Sequence, residues 1–299
     1  MKFSIEPLSP VDVPAAQQLV EAAGWNQLPQ DWLRLLHREP QGCFKATADG
    51  QLVGTVTTIC YGTALAWIGM MLVHPTARRQ GIGKQLMHAA IGVLQSRGIR
   101  AIGLDATPAG RPLYEQLGFS VAAEWQRWKR TAASATVQVT TSAAQSDTLN
   151  PAHHTPLRQL DTQAWGVERW SWIESLLQQS QVAVTLGGGT LGGGTLGGGT
   201  PHAGRQQGYG LLRAGRIASY LGPLVATDRE VALQLSQQLL VDEVDECLWD
   251  VPPANPAAVA LAQQLNFQPV RDLYRMWLGP SGPSGQPNHI YAISDPATG

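Results

Sequence analysis

The chain reads as a mixed α/β protein built from two repeats of one plan. Three observations predict that class. Strand-like apolar runs and helix-periodic segments alternate irregularly, with an antiparallel hairpin early and a strand–helix–strand unit later, unlike a doubly wound sheet. Two stretches of the first half recur in the second: Leu113-Tyr-Glu-Gln-Leu-Gly-Phe119 aligns with Leu261-Ala-Gln-Gln-Leu-Asn-Phe267, and Gly103–Pro108 with Leu248–Pro253. At 299 residues and 43% hydrophobic, the chain can bury two separate cores.

The elements follow in order. Residues 3–7 form a short strand. A helix runs from Pro10 to Ala23, with Ser9 as N-cap and Gly24 as its stop. Pro29–His37 is a second helix carrying Trp32, Leu33, Leu35 and Leu36. Cys43–Ala48 and Gln51–Tyr61 make a hairpin that turns at Asp49-Gly50. Ala64–Val73 is a strand and Gly83–Ser96 a helix, apolar at Leu86, Ala89, Ala90, Val93 and Leu94. Ala101–Ala106 is a buried strand, Arg111–Leu117 a short helix and Ser120–Lys129 a closing strand. In the second half, Leu160–Leu177 is helical with Asp161 as N-cap, and Gly208–Arg213 and Arg216–Val225 form a hairpin. Asp228–Val241 is an amphipathic helix, Glu246–Val251 a strand, Pro256–Leu265 a helix and Leu273–Leu278 a closing strand.

Composition shifts mark the boundaries. From 132 to 156 Thr, Ser, Ala and Gln replace large apolar residues, which predicts a flexible linker. Residues 185–200 repeat Thr-Leu-Gly-Gly-Gly and lack the apolar surface to fold, so they read as a flexible insertion in a hairpin loop. The expected organisation is a first domain at 1–131, the linker, a second domain at 157–280 and a C-terminal tail at 281–299.

Bulk properties exclude several classes. Charged residues are 14% and the formal net charge is -1, so no nucleic-acid surface is expected. The short run Arg127-Trp-Lys-Arg130 reads as a solvated strand edge. No apolar stretch reaches membrane-spanning length, and the N-terminus enters a strand pattern without a signal peptide. Cys43, Cys60 and Cys247 have neither metal nor disulfide spacing, so buried reduced thiols in a cytoplasmic protein without a metal are expected.

The most informative stretch is 70–83, Met-Met-Leu-Val-His-Pro-Thr-Ala-Arg-Arg-Gln-Gly-Ile-Gly. A strand, a glycine turn and a helix in that order make an anion site. The first N–H groups of a helix lack partners within it, and the positive end of its dipole points outward. Gly81 and Gly83 remove side chains in front of those amides, and Arg78 and Arg79 add positive charge. A nucleotide P-loop fails on spacing, because Arg78 and Gln85 stand where Gly and Ser or Thr are required. The dinucleotide fingerprint fails because Leu86 replaces its third glycine.

Arg78-x-x-Gly81-x-Gly83 after a strand ending in Val-x-Pro, followed thirty residues on by Pro112-Leu-Tyr-Glu-Gln-Leu-Gly-Phe119, resembles the GNAT family of acetyltransferases. That resemblance implies two GNAT-like domains and a cofactor role for acetyl-CoA as co-substrate. It places the diphosphate on the amides of Arg79, Gln80, Gly81, Ile82, Gly83 and Lys84 and on Arg78, and the pantetheine arm on the main chain of Leu72 and Val73. It also makes Tyr114 the acid that protonates the departing thiolate; a free phenol, with a pKa of about 10, stays protonated.

The base is open. Asp105 ends a strand beside the implied thioester, but the second half repeats an aspartate at Asp250, which argues for structure. Glu124, Tyr61 or a water chain are alternatives, while His74 fits a turn or cap. Thr107 stands where the family often has asparagine. In the second half no Arg-x-x-Gly-x-Gly occurs and Ala262 replaces the tyrosine, so this half resembles the degenerate second domain of tandem GNAT proteins. The expected activity is acetyl transfer to an amine, a small molecule, by a monomer or homodimer, with catalysis in the first domain. A non-catalytic acyl-CoA-binding module and a protein acetylase are the alternatives.

Overall fold

A computed structural model describes residues 2–131, 154–178, 180–187, 206–241 and 246–299. Residues 132–153 of the expected linker and 188–200 of the expected insertion lie outside the described residues.

The first half begins with strand β1 (Ser4–Pro7). A 3-10 turn, Pro10–Asp12, precedes helix α1 (Val13–Ala22), so the predicted helix is divided at its start. Ser9 shapes that entry: its N–H and hydroxyl both donate to the Asp12 carboxylate. Helix α2 (Pro29–Arg38) starts on a proline whose missing N–H costs nothing there. It buries Trp32, Leu35 and Leu36 and turns Leu33 outward, 44% exposed. Strands β2 (Phe44–Ala48), β3 (Gln51–Tyr61) and β4 (Leu65–Val73) form an antiparallel meander. Helix α3 (Ile82–Ser96), strand β5 (Ala101–Ala106), helix α4 (Arg111–Gln116) and strand β6 (Ser120–Arg130) follow.

The second half repeats the plan. Helices α5 (His154–Trp165) and α6 (Trp170–Leu177) replace the single helix expected at 160–177. The break falls at Gly166, φ +71°. Asp161 is therefore not an N-cap. It lies fully buried inside α5, where Arg169 donates to both carboxylate oxygens at 3.1 Å and the Tyr209 hydroxyl donates to one. Next come strands β7 (Ser180–Gly187), β8 (Gln206–Arg213) and β9 (Ser219–Ala226), helix α7 (Arg229–Leu239), strand β10 (Cys247–Val251) and helix α8 (Pro256–Gln264). Strand β11 (Gln268–Leu278) starts five residues earlier than expected, and strand β12 (Ile290–Ala292) lies in what read as a tail. Strand β7, which enters the glycine repeat, was also not expected.

All strands join one sheet in the order β1-β2-β3-β4-β5-β11-β6-β10-β9-β8-β7, with β12 beside β9. The two closing strands are exchanged. Strand β11, from the second half, pairs with β5 of the first, and β6, from the first half, pairs with β10 of the second. They also pair antiparallel with each other down the middle. Met276 of β11 accordingly belongs to the core under α3, and Trp128 of β6 to the core under α7 and α8. On the opposite face, α1, α2, α5 and α6 share one continuous core spanning both halves.

The exchange overturns one expectation. Arg127, Trp128 and Arg130 are buried, not a solvated edge, because β6 is central in the sheet. Among the described residues no helix is long and apolar enough to cross a membrane. Cys43 and Cys247 are buried and Cys60 is half-buried, all as free thiols. Burial pushes the Cys43 thiol up to about 12 and that of Cys60 to about 11, so both stay neutral.

Candidate active site

The site starts as a fork in the sheet. Strands β4 and β5 run parallel and pair only at Leu65–Ala101, Ala66–Ile102 and Trp67–Gly103. Beyond Trp67 the β5 side of β4 has no strand partner among the described residues. A bulge starts there: Thr55 faces Leu72 while Thr57 faces Gly69, so β4 carries an extra residue. Met70 adopts φ +46°, and the Thr55 hydroxyl donates to its carbonyl at 2.9 Å. The strand edge running past Leu72 and Val73 is the edge expected to hold an extended arm. Their side chains are core, Leu72 on the α1/α2 face and Val73 on the α3 face.

The turn after β4 exposes the amides. His74 caps the short Pro75–Ala77 turn, its Nδ1 lying 2.8 Å from the Thr76 hydroxyl, which is the turn role expected of it. Arg79 at φ +62° and the N-cap Gly81 at φ +81° both take the left-handed region, the kind of backbone from which anion-binding nests are built. The backbone amides of residues 79–84 donate to no other described residue, and the first bond inside α3 runs from Gln85 N–H to the Gly81 carbonyl. Arg78, Arg79, Gln80 and Lys84 are exposed around them. The Arg78 Nε donates to the Val73 carbonyl at 3.1 Å, which draws its guanidinium back across the mouth of the turn. Gly83 has a second reason to lack a side chain: a Cβ there would lie 2.9 Å from the Met71 methyl and 3.3 Å from Leu113. Thus α4 abuts the start of α3.

Tyr114 follows Leu113 on α4, is 9% exposed and packs edge-on to Phe119 at 6.1 Å. Burial pushes its phenol up to about 12. Thr107 accepts the Gly110 N–H at 3.2 Å and so shapes the entry to α4.

The candidate bases are placed elsewhere. The Asp105 side chain is fully buried and both its oxygens are taken by Arg275, Nε at 3.0 Å and Nη2 at 2.9 Å. Desolvation raises its pKa, and the Arg275 charge opposes that rise. A carboxylate with both oxygens committed to a guanidinium is a tether. Asp250 is its twin: Arg127 holds it at 2.8 and 2.6 Å. Both arginines sit on exchanged strands, and the repeated Asp and Arg positions were the available sequence signal for these cross-half pairs. Tyr61 is buried and donates to the Thr298 carbonyl at 2.6 Å. Glu124 is exposed on β6 across from Tyr274.

The second half has the same fork, closed. Strands β9 and β10 pair at three positions, ending at Trp249–Leu221, and β12 then lies along β9, with Ile290 opposite Val225. At the start of α7 the Asp228 carboxylate accepts the Glu230 and Val231 N–H groups at 3.0 Å. The chain itself thus supplies the extended segment and the anion. Among the described residues no group of three or more His, Cys, Asp or Glu could hold a metal.

Known proteins match this architecture. A family model described as "Acetyltransferase (GNAT) family" matches residues 14–119, and one described as "Acetyltransferase (GNAT) domain" matches 157–292. The uncharacterized N-acetyltransferase YitH of Bacillus subtilis is 22% identical over 282 residues, 94% of this chain and 93% of that protein. Mycothiol acetyltransferase of Thermomonospora curvata is 33% identical over 85 residues, covering 27% of this chain and 29% of that one. A candidate acetyltransferase from Pyrococcus horikoshii superposes with a TM-score of 0.80 at 22% identity, over 99% of this chain and 96% of its own. A tandem GNAT protein from the clavulanic acid biosynthesis pathway superposes with a TM-score of 0.68 at 18% identity, over 94% and 100%. The chain belongs to the GNAT family as a tandem N-acetyltransferase, a family that uses acetyl-CoA.

Proposed function

We propose that the chain transfers an acetyl group to the primary amine of a small molecule, and that the first half carries the reaction. One contrast supports this most: the first fork is open and its helix-start amides are unpaired, whereas the second half fills both places with its own β12 and Asp228. Acetyl-CoA supplies the activated acetyl thioester when bound. The amides of residues 79–84 and the Arg78 charge fit its diphosphate. The edge of β4 at Leu72 and Val73, without a strand partner among the described residues, fits the amide-rich pantetheine arm, and an N–H there would polarise the thioester carbonyl. The acceptor nitrogen forms the amide bond as the carbon–sulfur bond breaks. The Tyr114 hydroxyl donates its proton to the sulfur, and the nitrogen's surplus proton leaves to water.

A small acceptor is supported by what covers the other face of the fork. Residues 293–299 are bound there by Trp67 Nε1 to the Pro296 carbonyl at 2.9 Å and by Tyr61 to Thr298. A cavity of about 10 Å³, lined by Gln27, Arg34, Met70 and Asp295 among others, lies between them and α2. An extended polypeptide acceptor would need an open groove.

The test is thiol release from acetyl-CoA across a panel of small amines and peptides, with the wild type and Tyr114→Phe. The variant should lose about a hundredfold in kcat, the usual scale for a lost acid, with coenzyme affinity unchanged. An unchanged rate removes Tyr114 from the mechanism, and turnover of peptides alone removes the small acceptor.

A further inference from the structure

We infer that Arg275, carried by the second half, is a positioning residue for acetyl transfer in the first half. This rests on the reading that catalysis occurs at the open fork.

The fork divides at Trp67–Gly103, and Arg275 meets β5 two residues past the division, at Asp105, and β4 at its last paired residue, Trp67. On the β5 prong it holds the Asp105 carboxylate with two bonds. On the β4 prong its guanidinium lies 4.6 Å from the Trp67 ring centre. Trp125 of β6 at 4.4 Å and Trp165 of α5 at 5.4 Å close the box around it. The Trp67 ring is itself pinned. Its Nε1 donates to the Pro296 carbonyl, and it crosses Trp277 edge-on at 5.5 Å. Gly103 is required at the division, since a Cβ there would stand 2.4 Å from both the Trp67 and Trp277 rings. One planar cation therefore ties β5 just past the division to the last paired residue of β4. Displacement of a reacting group by 1 Å costs on the order of a hundredfold in rate.

The internal repeat supplies a control. Arg127 and Asp250 form the same bidentate pair at the closed fork, where Tyr220 also donates to Asp250 at 2.8 Å and Ile293 N–H lies 3.4 Å from the Asp250 carbonyl. Two clamps of one geometry thus brace one open and one filled fork. If clamps serve folding alone, loosening either should have the same consequence.

The experiment compares Arg275→Lys with Arg127→Lys. Lysine keeps the charge but cannot form the planar two-bond contact. Thermal midpoints, acetyl-CoA affinity by calorimetry, and kcat and KM on the best acceptor are measured for both. Both variants should lose thermal stability. Arg275→Lys should lose about tenfold or more in kcat with acetyl-CoA affinity within about threefold, while Arg127→Lys keeps kcat within about twofold. Equal kcat in the two variants, or an Arg275→Lys enzyme as fast as wild type, overturns the inference. Should Arg275→Lys fail to fold, Asp105→Asn is read against Asp250→Asn by the same criteria. Wild-type protein that releases no thiol overturns the catalytic reading, and this role with it. An active wild type with an indifferent Arg275→Lys overturns this role alone.

Discussion

Tyr114 shows how burial tunes one side chain for the proposed chemistry. Its phenol is neutral at any ordinary pH and is pushed up to about 12, which preserves the proton it would donate. The sign of the linkage follows. A group whose pKa is higher folded than unfolded adds stability that is complete below the unfolded value, about 10, and is lost as pH rises through the folded value. A two-unit difference corresponds to about 3 kcal/mol. Urea denaturation between pH 9 and 12 should therefore show the wild type losing more stability than Tyr114→Phe by roughly that amount; parallel curves would contradict the burial of the phenol. Asp105 teaches the opposite lesson. Its place at the end of a strand beside the site suits a base, yet its two bonds to Arg275 make it a tether, and removing one partner of such a buried pair costs about 3–5 kcal/mol.

Among the elements, the turn before α3 is where local sequence and the proposed coenzyme site coincide. Gly81 at φ +81° tolerates a left-handed backbone that disfavours any residue with a Cβ, and the amides of 79–84 around it donate to no other described residue. Arg78 adds charge from an exposed position, where solvent screens it. Arg78→Ala should weaken acetyl-CoA binding by about 1 kcal/mol, roughly fivefold, with a shallower salt dependence. Calorimetry at two ionic strengths measures both, and an unaltered affinity would move the diphosphate elsewhere. The Arg-x-x-Gly-x-Gly spacing, the hairpin at Asp49-Gly50 and the helix after the turn were all legible, because each depends on residues a few positions apart. The split of α5 from α6 was legible in principle, since Gly166 stood inside the expected helix.

At the scale of the whole molecule, each half closes with the other's strand. Met276 completes the core beneath α3 and Trp128 the core beneath α7, while a third core runs across both halves. The full chain should therefore unfold by calorimetry in a single transition despite its two repeats. Two well-separated transitions would contradict the exchange. Residues 290–299 reinforce the union, filling the second fork with β12 and then reaching Trp67 and Tyr61 of the first half.

By itself the amino-acid order determined most of the element types, the internal repeat, the family and the place of the Arg-x-x-Gly-x-Gly turn, because periodicity and motif spacing are properties of neighbouring residues. It left open which strand lies beside which. An apolar strand shows that both its faces are buried but does not name its neighbour, and β6 and β11 carry similar patterns. Only the tertiary structure decided that they trade places. That exchange turned Arg127, Trp128 and Arg130 inward and set Arg275 against Asp105, while β12 came to lie along the fork of the second half and the first fork kept no strand partner among the described residues.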